Sequence, residues 1–457
     1  MRNLNSASAV VVLVSVSGGL IVGQSSPPAY VPIPRGYDTC GGAAESPCPT
    51  DLFAALQRGD VARMRRHTWN VFAGLTSVDK KSGLPVFRTW YRKCQLNSGF
   101  PCGYEVPAQL LDSTPGPFSD RSREIALAVS VNFYNQDFRD FVIHQVPGKP
   151  STPLCDGTVL AKLKEELKRN NQIEDRKIEA FPSSAIAIKT GWRIVKKSGL
   201  TLLPVWDPNA NSQTDPNGQS PVESSSGISY PKGRWSRYVA VDPTPYKGRG
   251  IRYENVVAND GLLQHVRVVP LSSFYHITPG TTDLERIKEL TKGRLPSNVD
   301  AGDYLVLVAL HFTTKEIPNW VWGTFWWHDE PDTRPNGFDR PSSVIGEFRN
   351  YLMNTSYGMN DPRESDGHPH IAFNPWLEGP LKGGVESNCM SCHRRAAWPL
   401  LPSSAINTTP GEVSLADDSA FGMGQLKTDF IWTLGAIDGT KNGCPVEPIS
   451  TPIAVRP

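Results

Sequence analysis

Apolar residues recur at helical spacing in the first third of this chain, at alternate positions in the middle, and at helical spacing again near the end. From Thr50, Leu52, Phe53 and Leu56 keep to one side of a 3.6-residue period, and Val61, Met64, Thr68 and Val71 resume it after Gly59-Asp60. This predicts two helices or one bent helix, with Arg63, Arg65 and Arg66 as a solvated face and His67 as a structural residue beside them. Val86 to Tyr91 reads as a short buried element, Arg121 to Phe133 as a core helix or strand, and Thr158 to Arg169 as a helix capped by Asp156. Ala185 to Ile194 alternates as a strand, and Leu200 to Trp206 follows at hairpin distance. Asp207 to Ser229 is a long polar loop, after which strands resume at Trp235–Val241 and His265–Val269. Asp283 caps a further helix with Leu284, Ile287 and Leu290 on one face. Tyr304 to Phe312 is apolar on both faces and predicts a central strand, paired with the next one, Trp320 to His328. Val344, Ile345, Phe348, Tyr351 and Leu352 are spaced as a helical stripe, and Gln425–Ile437 as an amphipathic helix.

The expected class is α+β: a helical part over residues 24–180, a β-rich part over 181–335, and a helical part over 336–457. Residues 1–23 read as a secretory signal, since Arg2 precedes a short apolar run from Ala7 to Val22 and Gln24 to Pro28 ends any helix; an uncleaved anchor is the competing reading. No other stretch is long and apolar enough for a membrane span. With 47 Lys and Arg against 45 Asp and Glu, the net charge of +2 gives a weak overall field, and no basic run with interleaved aromatics points to nucleic acid. Export suits the cysteines. Of eight, the six outside residues 389–393 read as three disulfides. Loop proximity favours Cys40–Cys48 and Cys94–Cys102, which leaves Cys155–Cys444 to tie the middle of the chain to its end.

The remaining pair carries the chemistry. Cys389-Met390-Ser391-Cys392-His393 has the C-x-x-C-H spacing of c-type haem attachment. Two thiols one helical turn apart can each add across a haem vinyl group, and the following imidazole then meets the iron. Cys389 and Cys392 are therefore the expected anchors and His393 the proximal ligand of one covalent haem c. A zinc site would need two further ligands close by, and neither a second C-x-x-C nor an H-x-x-x-H is present. A thioredoxin-like redox pair would open a helix after a strand, whereas Gly379 to Gly384 reads as a loop.

The other side of the iron is open to several candidates. Trp320, Trp322, Thr324, Trp326 and His328 share one face by period two, which makes His328 the leading distal ligand or distal-pocket residue. Met423 follows the motif at a distance seen for methionine ligands. His311, among aliphatic residues on the central strand, is a further candidate, while Met353 and Met359 read as packing residues. Arg394 or Arg395 could pair with a haem propionate. His368 and His370, with Glu364 and Asp366, make a weak metal-chelating pattern in a polar loop. Asn354 and Asn407 begin glycosylation sequons.

At Cys389–His393 the chain resembles c-type cytochromes. The phrases Asn374–Gly379, Ser387–His393 and Leu426–Trp432, together with Trp320–His328, look like those of large exported bacterial cytochrome c family proteins with a single haem. The resemblance implies haem c, a periplasmic or secreted location, and redox work with a partner protein or a small-molecule electron donor or acceptor. It implies no substrate. Hundreds of residues precede the motif, far more than a small electron carrier needs. Electron transfer is therefore the first functional expectation, a haem oxidase or peroxidase with an open distal site the alternative, and gas sensing a third.

Overall fold

The computed structural model describes residues 29–34, 36–37, 50–105, 127–143, 153–169, 175–208, 234–245, 251–257, 263–292, 299–334, 336–357, 370–378, 387–400 and 424–445. The signal-like segment, Cys40, Cys48, Met359, His368, Asn407 and Met423 lie outside them. The fold is α+β.

Two helices open the described chain, α1 (Thr50–Gln57) and α2 (Val61–Thr76), and Asp60 caps the second by accepting from the Arg63 amide at 2.9 Å. The 3₁₀ turn Val86–Thr89 leads into β1 (Tyr91–Arg92), then β2 (Val129–Tyr134), α3 (Gln136–Ile143) and α4 (Gly157–Leu167). The strands β3 (Ile186–Val195), β4 (Thr201–Asp207), β5 (Arg234–Asp242), β6 (Arg252–Val257), β7 (Leu263–Pro270) and β8 (His276–Ile277) follow, and then α5 (Thr281–Thr291). The last part holds β9 (Tyr304–Thr314), β10 (Val321–Trp327), β11 (Tyr351–Ser356), α6 (Cys389–His393), β12 (Ala397–Trp398), β13 (Leu426–Lys427) and α7 (Trp432–Gly435).

A seven-stranded sheet runs in the order β1-β2-β3-β9-β10-β11, with β8 also paired to β9. All its pairings are antiparallel. The apolar run of β9 is central as expected, with β3 on one side and β10 on the other, because a strand without a polar face must be covered on both. The sheet takes strands from all three sequence parts, so these share one body. β4 does not form a hairpin with β3. It begins a second sheet, β4-β5-β7-β6, in which β5 and β7 are parallel.

α2 covers one face of the large sheet. Phe72 stacks on Phe325 with ring centres 3.9 Å apart, and Trp69 meets the same ring edge-on at 5.3 Å. The approach is close at Gly323. A Cβ there would lie 2.6 Å from the Phe312 ring and 2.7 Å from the Thr68 methyl, so only glycine fits. The arginine face of α2 is not wholly solvated, since Arg65 donates to Asp339 at 2.7 Å beneath the Phe338 ring. His67 is buried against Glu316 at 2.7 Å. Met353 is buried in the same core, as expected of a packing residue.

The end of the chain is less helical than its spacing predicts. Val344 to Leu352 forms a 3₁₀ turn (Gly346–Asn350) and then β11, because Tyr351, Leu352 and Met353 are all buried as consecutive residues of a strand covered on both faces. The stretch from Gln425 forms β13 and the four-residue α7 instead of one helix; the backbone at Asp429 (φ 46°) and Phe430 (φ 70°) is left-handed and stops helical propagation. The disulfides Cys94–Cys102 and Cys155–Cys444 both form, with Cα atoms 4.9 and 4.8 Å apart.

Candidate functional site

The second face of the large sheet is covered by the C-terminal segment that carries the C-x-x-C-H motif. α6 is one turn long, too short to be stable alone, and its neighbours hold it. Asn388 caps it, accepting from the Met390 amide at 2.9 Å while donating to the His370 carbonyl at 2.7 Å. Ser356 at the end of β11 donates to the same Asn388 oxygen at 2.8 Å, and the Cys389 amide and thiol both reach the Ala372 carbonyl at 3.1 Å. Met390 is buried in the core beneath. Cys389 and Cys392, three apart, therefore lie on one side of the turn.

Both thiols are free, although the four other described cysteines are disulfide-bonded. Burial pushes the Cys389 thiol well above its ordinary value and the Cys392 thiol up to about 12. A redox C-x-x-C requires the opposite, a stabilised thiolate. Among the described residues no three His, Cys, Asp or Glu side chains converge as a metal-ion site.

His393 donates its Nδ1 hydrogen to the Phe430 carbonyl at 2.8 Å. A carbonyl can only accept, so the tautomer is set and Nε2 keeps its lone pair. Burial lowers the imidazole to about 4, which keeps it neutral. The carbonyl is presented by the two left-handed residues Asp429 and Phe430, an uncommon backbone state for residues other than glycine. Three contacts hold that loop: Lys315 Nζ to Asp429 at 2.7 Å, the Phe181 amide to Asp429 at 3.0 Å, and the Thr428 hydroxyl to the Ile431 carbonyl at 2.8 Å. Trp322 and Trp432 flank the imidazole with ring centres 4.4 and 6.4 Å away.

The sheet opposite supplies the other wall. Asn132, Lys189, His311, Thr324 and Asn354 form one cross-strand row on this face. β2 and β11 each keep accessible surface at a single position, Asn132 and Asn354, and β9 at His311 apart from its first residue; all lie on this row. Of this row, His311 lies nearest His393, and Cys392 and His393 are themselves half-buried. The His311 ring centre is 6.5 Å from that of His393. Its Nδ1 lies 3.6 Å from Glu378 Oε1, and these side chains keep 19% and 18% of their surface although they sit at mid-sheet. Burial raises Glu378 to about 7, and the Asn374 amide donates to its other oxygen at 2.7 Å. Burial pushes Lys189 down and His311 well down, the latter helped by Lys189 itself.

Comparison with known proteins finds no matching family model, no matching curated protein and no matching solved structure. The site therefore stands on its own geometry.

That geometry does not bring His328 to the motif. Trp322 is the β10 residue against His393, and six residues at ~3.3 Å each put His328 about 20 Å further along. There its Nδ1 accepts from the Glu330 amide at 3.0 Å. The shared face also begins later than the period suggests, since Trp320 precedes the strand with φ 62° and packs with Phe181. Arg394 lies over the Phe430 ring at 5.8 Å and lines a cavity of about 510 Å³ with Lys177, Lys315 and Lys427. Arg395 points the other way, buried and donating to the Ser391 carbonyl at 2.9 Å. His370 donates to the Thr355 carbonyl at 2.8 Å, a structural bond. Met423 lies outside the described residues. Glu378 and Lys189 are the site residues that sequence reading misses. Lys189 had a signal, as a lysine inside an alternating apolar strand; Glu378 had none beyond its place between Trp376 and the Gly379 loop.

Among the described residues no helix is long and apolar enough to cross a membrane.

Proposed function

We propose that this chain is an exported mono-haem c-type protein whose work is electron transfer. One observation carries the reading: two free thiols on one side of a single turn, followed by an imidazole whose Nδ1 hydrogen is committed to the Phe430 carbonyl. This is the donor set of haem c, and fixing the outer nitrogen of a ligating histidine is the usual way a protein aims the inner one. The residues fit the group. Cys389 and Cys392 would each add an S–H bond across one vinyl group, the sulfur bonding to carbon and the thiol hydrogen passing to the neighbouring carbon, so no other reactant is consumed. Burial raises both thiols, which holds the sulfurs in their protonated form, and neither is in a disulfide. When bound, the haem supplies a one-electron iron couple.

The chain's own contribution is burial and orientation. The neutral imidazole of His393 and the indoles of Trp322 and Trp432 would give the ring an apolar seat on the motif side. The two disulfides suit an oxidising compartment, which supports the periplasm or the exterior as the place of work. The partner would then be a protein or small molecule that exchanges single electrons with the haem.

The test is expression with cytochrome-maturation machinery. Haem that stays with the polypeptide on a denaturing gel, with the haemochrome spectrum of two thioether links, is the expected result. A mature chain of unmodified mass made beside a working control cytochrome would overturn the reading.

A further inference from the structure

Resting on the haem-attachment reading, we propose that His311 is the second axial ligand, so that the iron is held between two imidazoles, with Glu378 as the positioning residue for His311. The distance between the two imidazoles matches such ligation. Metal–imidazole bonds of about 2.0 Å on opposite sides of one ion place the two ring centres roughly 6.3 Å apart. His311 and His393 are 6.5 Å apart. A bound water or peroxide between iron and His311 would need about 2.8 Å more, the length of a hydrogen bond. The spacing therefore favours direct ligation over a distal acid–base role.

The orientation of His311 suits the role as well. The Nδ1 edge of His311 is turned toward the Glu378 carboxylate at 3.6 Å, which leaves Nε2 for the metal. A carboxylate behind a ligating histidine is a recurrent arrangement. Glu378 is itself aimed by the Asn374 amide, and Asn374 is locked to β10 through Thr324 at 3.0 Å and the Phe325 carbonyl at 2.9 Å. His311 is also accessible from the motif side, as the accessible interior position of β9, the central strand. Lys189, next to it on β3, is the rival ligand on this wall.

The ring planes of His311 and His393 lie 78° apart. Near-perpendicular axial imidazoles give a ferric haem a highly anisotropic low-spin resonance, unlike the rhombic signal of parallel ones. The holoprotein should show that signal, and its ferrous form should not shift on adding carbon monoxide. His311→Ala should keep covalent haem but turn high-spin, bind carbon monoxide, and return to low-spin with added imidazole. His311→Met, which retains a possible ligand, should stay low-spin with a raised midpoint potential. Glu378→Gln should stay low-spin while its potential rises, a shift that a merely structural carboxylate would not cause. Covalent haem with an unchanged spectrum in His311→Ala, a high-spin unaltered protein, or a spectrum that responds to Lys189→Met instead would overturn the ligand assignment alone. Absence of covalent haem would overturn the attachment reading and the assignment with it. If His311→Ala does not accumulate, the resonance of the unaltered protein decides.

Discussion

The imidazole of His393 and the main-chain carbonyl of Phe430 are joined by a 2.8 Å hydrogen bond across 37 residues of sequence. The bond orients the ring without help from the thioethers. Loss of the thiols should therefore cost the covalent link before it costs the ligand. Cys389→Ser and Cys392→Ser should each retain haem through the remaining sulfur, and the double variant should release all of it to acid–organic extraction. Haem left on the double-variant polypeptide after extraction would show that the sulfurs are not the anchors.

The loop bearing that carbonyl depends on Asp429. Its carboxylate meets Lys315, and the two side chains keep only 11% and 7% of their surface. Burial lowers the Lys315 ammonium and the Asp429 charge partly restores it. Removing the acid strands a buried cation, an effect of about 3–5 kcal/mol for buried pairs. Asp429→Ala should lower unfolding free energy by that order, with further loss because alanine tolerates φ 46° less well than aspartate. Asp429→Asn, which tolerates that backbone, should lose less. Equal losses in urea titrations would mean that charge alone holds the loop.

A second buried acid should contribute to stability against acid. Asp329 is almost wholly buried and accepts from Arg237 at 2.7 and 2.8 Å and from Arg267 at 3.3 Å. Burial alone would raise its carboxyl, but the bonds from Arg237 more than offset this and hold it below the ordinary value. A depressed folded-state pKa gives stability that is present above the unfolded value and lost as pH falls through the folded one. Asp329→Asn should therefore be less stable than the parent near neutrality and should converge with it as the solution is acidified below pH ~4. Parallel melting curves over the whole acid range would exclude the role. The same site explains why His328 does not reach the motif: its place is beside Asp329, at the far end of β10.

Half of the proposed haem site is contiguous in the chain and so stands out in the sequence. Attachment and proximal ligation need five successive residues, and no tertiary contact alters their order. The other half is assembled from β3, β9 and the 374–378 segment, and a strand pattern says which face a residue takes without saying what covers it. His328 shows the limit: its face follows from period two, but the cover at that end of the strand is the Arg237–Asp329 network. The central position of β9 was legible for a physical reason, since a run apolar on both faces has nowhere else to go. The helix expected over Gln425–Ile437 fails for the converse reason. Leu426, Phe430, Leu434 and Ile437 keep helical spacing, yet all are buried because the segment threads between other elements. Nothing in Asp429-Phe430 announces a left-handed turn as a glycine would.

The Cys155–Cys444 bridge joins residues 289 apart, and it is the covalent tie between the α4 region and the tail that follows α7. Around it the Gly157 amide donates to the Lys441 carbonyl at 3.0 Å and the Ser98 amide to Gly443 at 2.7 Å, so the tail is also seated by backbone bonds. The folded contacts should thus survive without the sulfur link. What changes is the unfolded chain, which regains the freedom of a very long loop. On the chain-entropy account a closure of that length is worth about 6 kcal/mol, against about 3 for a loop of fifteen residues. Cys155→Ser with Cys444→Ser should lower unfolding free energy by the larger figure while leaving the haem spectrum unchanged, because the motif is held by Asn388, Ala372 and Phe430 and not by the tail. Removal of Cys94–Cys102, which closes only eight residues, should cost less. A double variant that loses its low-spin spectrum at full stability would show instead that the tail positions the iron.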